Sequence, residues 1–474
     1  MATISASTQT AFDVPTLVNQ LMSVERRPVD SLNARISDTQ AKISSFGTLS
    51  SLVSTFQSAS TAFMAGLEKL ASTSSNSSAL TAVAGPTGVP GTYSVSISQL
   101  AQAQNLVAAG QTSSTAAIGS GASTTLTFDF GAIAGGTLVG GVYSGASFVP
   151  NGSASVNVTI DSTNNTLEGI RDAINAANFG VKATLVNDGS GTPYRLALSS
   201  AQSGENNSMR ISVAGDATLT GLMAYDPAGT QNLTQTLAAQ NANLSVNGIA
   251  ITSPSNTVNE AIQGVNLTLR DVTTSPTSLT IERDIAAINS AASSFVDAYN
   301  ALASQLKSRS AFGTSTSNGG VLAGDNGVRL MQSQLSDIFL APVTTGTLSS
   351  LSQVGISTRS DGQLQFDSIK FNTALTTDFN DVKNLIASPT GFATRLGDWA
   401  RTSLSAGGVI ESRTQSLRDF VKDRTAEVER LELRLEAIEK RYIREYTNLN
   451  ILLGRMNTTS TFLTQQLLAR PKSE

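Results

Sequence analysis

Stepping by seven along the C-terminal arm from Val421 meets Val428, Leu435, Tyr442, Leu449, Met456 and Leu463, and every one of these positions is apolar or aromatic. The companion series runs Leu417, Arg424, Leu431, Ile438, Glu445, Leu452, Thr459 and Gln466. The two series read as the a and d rows of a heptad seam, continuous at a and interrupted at d by charged and polar side chains. No proline falls in this arm before Pro471. One helix from Thr414 to Leu468 is therefore predicted, about 80 Å long at 1.5 Å per residue. Charge fills the space between the rows ("DRTAEVERLELRLEAIEKRYIREY"), and Glu427, Glu429, Glu432, Glu436 and Glu439 are expected to face Arg and Lys at helical spacing. A helix with an apolar stripe cannot bury that stripe alone.

The same spacing recurs at the other end of the chain. Asp13 before Val14-Pro15 marks a helix start, with an apolar face at Leu17, Val18, Leu21, Met22 and Val24. Pro28 interrupts it. A second helix, predicted from Val29 to Leu70, carries Val29, Leu32, Ile36, Thr39, Ile43, Phe46 and Val53 on one stripe. This is the natural partner of the C-terminal arm, and an antiparallel pairing is expected. Gly47 and the Ser/Thr-rich turns after it weaken the helix.

From Ala71 the period changes. "STSSNSS" reads as a linker, and "TYSVSISQL" then alternates Tyr93, Val95 and Ile97 on one face at period 2. The Gly-rich tract from Gln104 to Gly152 holds one clear strand, Thr125 to Phe130, and "GSGAS" and "AGGTLVGG" read as flexible connections. A strand from Ser155 to Ile160 precedes a short helix from Thr166 to Asn178, a hairpin and a further strand, "MRISV". The segment from Ala242 to Arg283 is all strand, with a two-residue hairpin turn at Asn247-Gly248. Helices return at Asp284, with Ile285, Ile288, Ala292, Phe295, Val296, Tyr299 and Leu302 on one face, and Gly319-Gly320 ends the run. A helix from Asp325, a hairpin at Asp361-Gly362 and a helix capped by Asp367 or Ser368 lead to the long arm.

Helix, strand block and helix in that order predict an α+β multidomain chain with nested insertions. The expected parts are a terminal coiled-coil stem (1–45 and 412–474) and a helical inner domain (46–75 and 284–411). Two β-rich inserted domains follow, a middle one (76–104 and 236–283) and an outer one (105–235).

Composition narrows the chemistry. The chain has no Cys and no His, which removes Ser-His and Cys-His nucleophilic sites, the usual zinc sets and disulfide staples. A net charge of −4 gives no electrostatic case for nucleic acid or an anionic membrane. The N-terminal "MATISASTQTAFDVPTL" has neither the basic nor the apolar region of a secretory signal, and no apolar run is long enough to span a membrane. The Gly-rich loops lack the spacing and Lys of a phosphate cradle. "DGQLQFD" lacks the ligand ladder of a calcium loop and reads as a turn plus a helix cap. Asp361 and Asp367 make a poor hydrolase pair in a chain with 5% aromatics for sugar stacking. No enzyme activity and no cofactor are expected.

Several stretches, taken in order, resemble the flagellar filament cap protein family, flagellar hook-associated protein 2. They are "FDVPTLVNQLMSVERRPVDSLNARISDTQAKISSFGTLSSLVSTF", "GTYSVSISQLAQAQ", "ANLSVNG", "GVNLTL", "FVDAYNAL", "LAGDNGVRLM", "GISTRSDGQLQFD" and "RYIREYTNLNILLGRMNTTSTFLTQQL". The stretch from Thr166 to Ser200 is similar to a repeat shared by hook-associated proteins and some flagellins. One departure is "TQTAF" where the family has a Gly-containing tract before the first Asp.

The resemblance implies export by the flagellar type III apparatus, so a secreted, extracellular location at the distal tip of the flagellum. It implies a ring-like homo-oligomer whose inner domains form a plate and whose stems act as legs. It implies flagellin and the hook-filament junction proteins as partners, and a cytosolic export chaperone at the C-terminal region. The cap would retain emerging flagellin, let it fold and guide it into place. A second reading makes the outer domain, about Gln104 to Gln235, an adhesin for a host glycan or protein. Flagellin itself fits less well, because this C-terminus is a charged coiled coil.

Two readings of the seam follow. It is either a hairpin closed within one chain, or a surface completed only between subunits or against flagellin. The polar d positions Arg424, Glu445, Thr459 and Gln466 favour the second, as does Gly454. On that reading the terminal arms order on assembly.

Overall fold

The structure, a computed structural model, describes residues 13–313 and 319–468; "TQTAF" lies before Asp13 and the last six residues follow Leu468, both outside them. Helix α1 (Val14–Glu25) starts where Asp13 accepts the Thr16 N–H at 3.4 Å, with Pro15 in its first turn. Arg26 separates it from α2 (Arg27–Gly66), whose first turn contains Pro28. Pro28 thus opens a helix as well as ending one, because the proline ring pre-sets a helical φ and its missing N–H is not needed there. Helix α2 has 40 residues and is about 60 Å long. It passes through Gly47 unbroken and ends at Gly66, short of the expected Leu70. A Cβ at Gly66 would lie 3.0 Å from that of Ala291.

The chain divides into two compact units, 1–67 with 285–474 and 68–284. The second opens with β1 (Leu70–Ser74) and β2 (Leu80–Ala84). "STSSNSS" is therefore a strand end and a turn rather than a linker. Its turn is closed by Asn76, whose Oδ1 accepts the Ala79 N–H at 3.3 Å and the Ser78 hydroxyl at 2.6 Å. Apart from Thr73, its Ser and Asn residues carry none of the β-branched signal that marks a strand.

Strand β3 (Gly91–Gln99) leads to β4 (Asn105–Val107), β5 (Thr124–Val139), β6 (Val142–Pro150) and β7 (Val156–Ile160). Helix α3 (Leu167–Ala177), β8 (Val181–Asn187), β9 (Tyr194–Ser200), β10 (Ser208–Ala214), α4 (Ala217–Met223) and β11 (Thr234–Leu237) complete the outermost part. The chain returns through β12 (Ala242–Val246), β13 (Ile249–Ser253), β14 (Thr257–Ile262), β15 (Val265–Leu269) and β16 (Thr277–Arg283).

Outgoing and returning strands interleave, which is the structural mark of an insertion. A five-stranded sheet has the order β1-β16-β3-β12-β13, and a three-stranded one has β14-β15-β2. Val95 and Ile97 point into a core with Leu80, Leu244, Val265 and Leu279, while Ser94 and Ser96 do not. Asn247 (φ 50°) and Gly248 (φ 83°) make the β12–β13 turn, both in the left-handed region that such a two-residue loop requires.

The outermost part has its own core, with Phe128, Ile170, Leu196, Leu219 and Tyr225 among its buried residues. Thr166 caps α3 by accepting the Gly169 N–H at 3.0 Å, and Leu167, Ile170 and Ile174 are buried. In the Gly-rich "AGGTLVGG", Ala134 to Val139 is strand and only Gly140-Gly141 is a connection: β5 pairs with β6 from Gly131↔Pro150 to Val139↔Val142. Gly136 (φ 71°) is required there, since a Cβ would lie 2.6 Å from the Ala146 nitrogen. The ribbon is anchored through a buried polar chain. Gln104 Nε2 donates to Gln235 Oε1 at 2.6 Å, Tyr225 Oη donates to the same oxygen at 3.3 Å, and Gln235 Nε2 donates to Tyr143 Oη at 2.9 Å. Burial pushes the Tyr225 phenol up, so it stays protonated and able to donate.

Asp216 caps α4 through the Thr218 and Leu219 N–H groups at 2.7 and 3.3 Å, and accepts both the N–H and the hydroxyl of Ser120 at 2.6 Å. The Ser120 side-chain and backbone hydrogen bonds lead in holding this carboxyl well below the usual range. The folded chain therefore binds that proton more weakly than the unfolded chain. The stabilisation is complete above the ordinary Asp range and drains away as pH falls through it. Asp216→Asn is expected to flatten the acid limb of the stability profile below about pH 4; urea unfolding across that range checks it, and an unchanged slope would refute it.

The first unit resumes with α5 (Ile285–Ser310) and α6 (Asn326–Leu340). Then come β17 (Ile356–Thr358), β18 (Leu364–Phe366), α7 (Ser368–Thr377), α8 (Phe379–Ala387), α9 (Phe392–Leu404) and α10 (Val409–Leu468). Ile288, Ala292, Phe295, Val296, Tyr299 and Leu302 face the core as the spacing predicts. Phe295 meets Phe56 at 5.4 Å and Phe63 at 5.3 Å between ring centroids, which fastens α5 to α2. Asp367, not Ser368, caps α7, accepting the Ile369 and Lys370 N–H groups at 3.0 Å. Gly407 (φ 81°) turns the chain into α10.

Candidate assembly surface on the terminal helices

Helix α10 has 60 residues, about 90 Å, and its surroundings change along its length. At its base Ile410 and Leu417 are buried with Phe46 in the core of the helical unit, Val409 and Ile43 are half-buried against them, and Val421 is half-buried further along. Arg413 Nε pairs with the buried Asp325 carboxylate at 2.9 Å, which also caps α6 through the Gly327 N–H. A second cluster lies higher. Leu435 is buried with Val18, Met22 and Val29, ringed by the half-buried Val14, Val428, Leu431, Ile438, Tyr442 and Tyr446. Leu32 is buried and Ile36 half-buried on α2 between the two clusters.

Two polar contacts fix the α1–α2 kink on α10. Arg26 reaches Glu432 at 3.4 Å, and the Tyr442 hydroxyl donates to Glu25 at 3.1 Å. Arg424 in the d row lies over the Phe420 ring at 5.4 Å and pairs with Glu427. A charged side chain is tolerated there because its stem covers apolar surface while its head stays paired.

The covering helix α1 begins at Val14, and α10 runs on. Beyond Tyr446 the expected seam residues face outward: Leu449 is 41% exposed, Leu452 54%, Met456 61% and Leu463 55%. The structure thus brings nine of the sixteen expected seam positions into the two clusters, Val29, Ile43, Phe46, Leu417, Val428, Leu431, Leu435, Ile438 and Tyr442, while Leu32 is buried and Ile36 and Val421 are half-buried outside them. It does not place the last four in any cluster within the chain, because no described helix lies over them. Val18, Met22 and Tyr446 belong to the seam as well. The spacing of four from Val14 to Val18 to Met22 was the available signal.

The glutamates also differ from expectation. Glu436 pairs with Lys440 at 2.5 Å, which lowers its carboxyl below the usual range, and Glu427 pairs with Arg424. Glu429 and Glu439 have no ion-pair partner among the described residues, so they do not face cations of their own helix. Asp361 and Asp367 serve a turn and a cap. Among the described residues no group of three His, Cys, Asp or Glu could hold a metal ion, and no helix is long and apolar enough to cross a membrane.

A helical stem whose last apolar rows no described helix covers, together with nested β modules, is the build of an assembly protein. The chain belongs to the flagellar hook-associated protein 2 family. It matches the family descriptions "Flagellar hook-associated protein 2 N-terminus" over residues 10–104 and "Flagellar hook-associated protein 2 C-terminus" over residues 239–458. "Flagellin hook IN motif" matches residues 145–202. Flagellar hook-associated protein 2 of Escherichia coli is 32% identical over 98% of both chains. The B-type protein of Pseudomonas aeruginosa is 29% identical over 97% of this chain and 96% of its own. The crystal structure of the D1-D2-D3 domains of the flagellar cap protein FliD from Escherichia coli has a TM-score of 0.68 at 34% identity, covering 79% of this chain and 99% of that one. The family is structural and not enzymatic. The family's N- and C-terminal parts bracket the outermost module, as its interleaved strands require.

Proposed function

We propose that this protein caps the distal end of the flagellar filament as a homo-oligomer, retaining exported flagellin and promoting its folding and polymerisation. The observation that carries this reading, beside family membership, is the apolar continuation of α10 past the start of α1. Leu449, Leu452, Met456 and Leu463 extend a seam that is packed lower down, no described helix lies over them, and in this reading their partner is a neighbouring subunit or flagellin. In this reading the residues around 1–45 and 412–474 are the stem that engages the filament and 105–235 the outer β-rich domain; the expected inner-domain limit at 75 moves back to 67, because β1 pairs with β16, which leaves 46–67 with 285–411 as the inner domain and 68–104 with 236–284 as the middle one. Four separate hydrophobic clusters support that division. Export through the flagellar type III apparatus to the outside, a cytosolic chaperone on the C-terminal region and contact with the hook-filament junction proteins belong to the same proposal. The adhesin reading gains nothing from relatives described as hook-associated and cap proteins.

Expression in a strain lacking its own cap gene tests the reading. The full chain is expected to restore filaments and swimming, and a chain ending at Asn448 is expected to leave flagellin monomer in the medium. Filaments of normal length with the truncated chain would overturn it.

A further inference from the structure

Around α10 the charges are sorted by side. At 3.6 residues per turn, Glu429, Glu432, Glu436 and Glu439 fall on one flank of the seam, and Arg430, Arg434, Arg441 and Arg444 on the other. Glu429, Glu432, Glu436 and Glu439 line one shallow groove with Arg26 and Leu433, and Leu433 is 70% exposed. Within the chain this arrangement is unfavourable. Glu429–Glu432, Glu432–Glu436 and Glu436–Glu439 are like-charge neighbours three or four residues apart, as are Arg430–Arg434 and Arg441–Arg444. Arg26 offsets part of one flank and Lys440 pairs with Glu436. Glu445 lies 3.9 Å from Arg441 on the other flank. Glu429, Glu439, Arg430, Arg434 and Arg444 have no ion-pair partner among the described residues.

We propose that stems of neighbouring copies dock side by side, the glutamate flank of one α10 against the arginine flank of the next. The inference rests on the capping reading only in taking the protein as a homo-oligomer. The two flanks span the same stretch of helix, 429–439 and 430–444, so parallel neighbours at equal height bring them level. Cyclic symmetry supplies that relation between subunits. An isologous pair joined flank to flank would set each flank against its own copy and oppose like charges. Flank-to-flank docking thus selects a head-to-tail ring over a two-fold dimer, and Leu433 supplies an apolar anchor inside the acidic rim.

Two double variants of the full chain test this. Glu429→Arg with Glu436→Arg makes both flanks basic, and Arg430→Glu with Arg434→Glu makes both acidic. By sedimentation velocity at low salt, each alone is expected to need at least a tenfold higher concentration than the wild type to assemble. An equimolar mixture of the two is expected to regain assembly, and so is the quadruple variant, whose flanks are exchanged. Circular dichroism confirms that the helix is kept. Doubles that assemble like the wild type overturn the proposal, as do a mixture and quadruple that stay apart with helix intact, or a wild type that remains monomeric. Doubles that assemble normally but no longer bind flagellin would assign the flanks to flagellin and also overturn it. Swimming restored by the wild-type chain reports on capping separately, so the flank pairing can fail while that reading stands.

Discussion

Phe56→Ala lowers the stability of the helical unit by about 3–5 kcal/mol, the range for emptying a buried aromatic site. Phe56 is fully buried in the C-terminal third of α2, with its ring 5.4 Å from that of Phe295 and 5.8 Å from that of Tyr299. Removing it loses apolar burial and two ring contacts at once, the latter worth about 0.5–1.5 kcal/mol each beyond area. Neighbouring helices are held by further buried rings, Phe63 and Phe371 among them, and cannot collapse freely into the space. The chain is too large for a single two-state transition, so a local probe is needed. The chain's one tryptophan supplies it. Trp399 sits in the same core, its indole N–H donating to Gln334 at 2.9 Å. The urea midpoint of its fluorescence is expected to fall, while the β unit's transition stays in place. An unmoved midpoint would show that α2 is not the spine of that core.

What was readable in the sequence follows the strength of local periodicity. The α5 face, the Asn247-Gly248 turn, the alternation through Val95 and Ile97 and the long C-terminal helix are each written in one short stretch. Side-chain spacing and turn chemistry fix them without help from distant residues. The strands over "STSSNSS" and "AGGTLVGG" were not readable, because small residues hold extended conformation there through pairing with β16 and β6, far along the chain or across a turn. Helix α4 is short, and its cap draws on Ser120, which no local window contains.

The heptad rows show a different limit. A period names the residues on a stripe, and it does so equally well where the stripe is covered and where it is bare. Among the described residues coverage of α10 ends near the start of α1 at Val14, a boundary that the period of α10 itself does not contain. The pairing of Glu429 and Glu439 was misread for a related reason. Alternating signs along a sequence look like pairs until the 3.6-residue turn sorts them onto opposite flanks.

Leu435 and Leu449 stand two heptads apart on the a row, yet Leu435→Asp is expected to lose the folded stem and Leu449→Asp is not. Leu435 is 4% exposed among Val18, Met22 and Val29. A carboxylate there forfeits about 1.5–3 kcal/mol of apolar burial and adds about 2 kcal/mol or more for a charge without a partner. That cluster is what holds α1 down, so the loss appears as local opening rather than global unfolding. Amide exchange at Val18 and Met22 is expected to quicken about 30-fold or more, the equivalent of 2 kcal/mol. Leu449 is 41% exposed, so the same substitution leaves stability within about 0.5 kcal/mol and α1 exchange unchanged. In cells lacking their own cap gene, both variants are expected to fail in filament growth, Leu435→Asp because the stem opens and Leu449→Asp because its outer contact is lost. Normal swimming with Leu449→Asp would mean that the bare stripe touches nothing that matters for assembly. Faster α1 exchange in Leu449→Asp would mean that the stripe is covered within the chain after all.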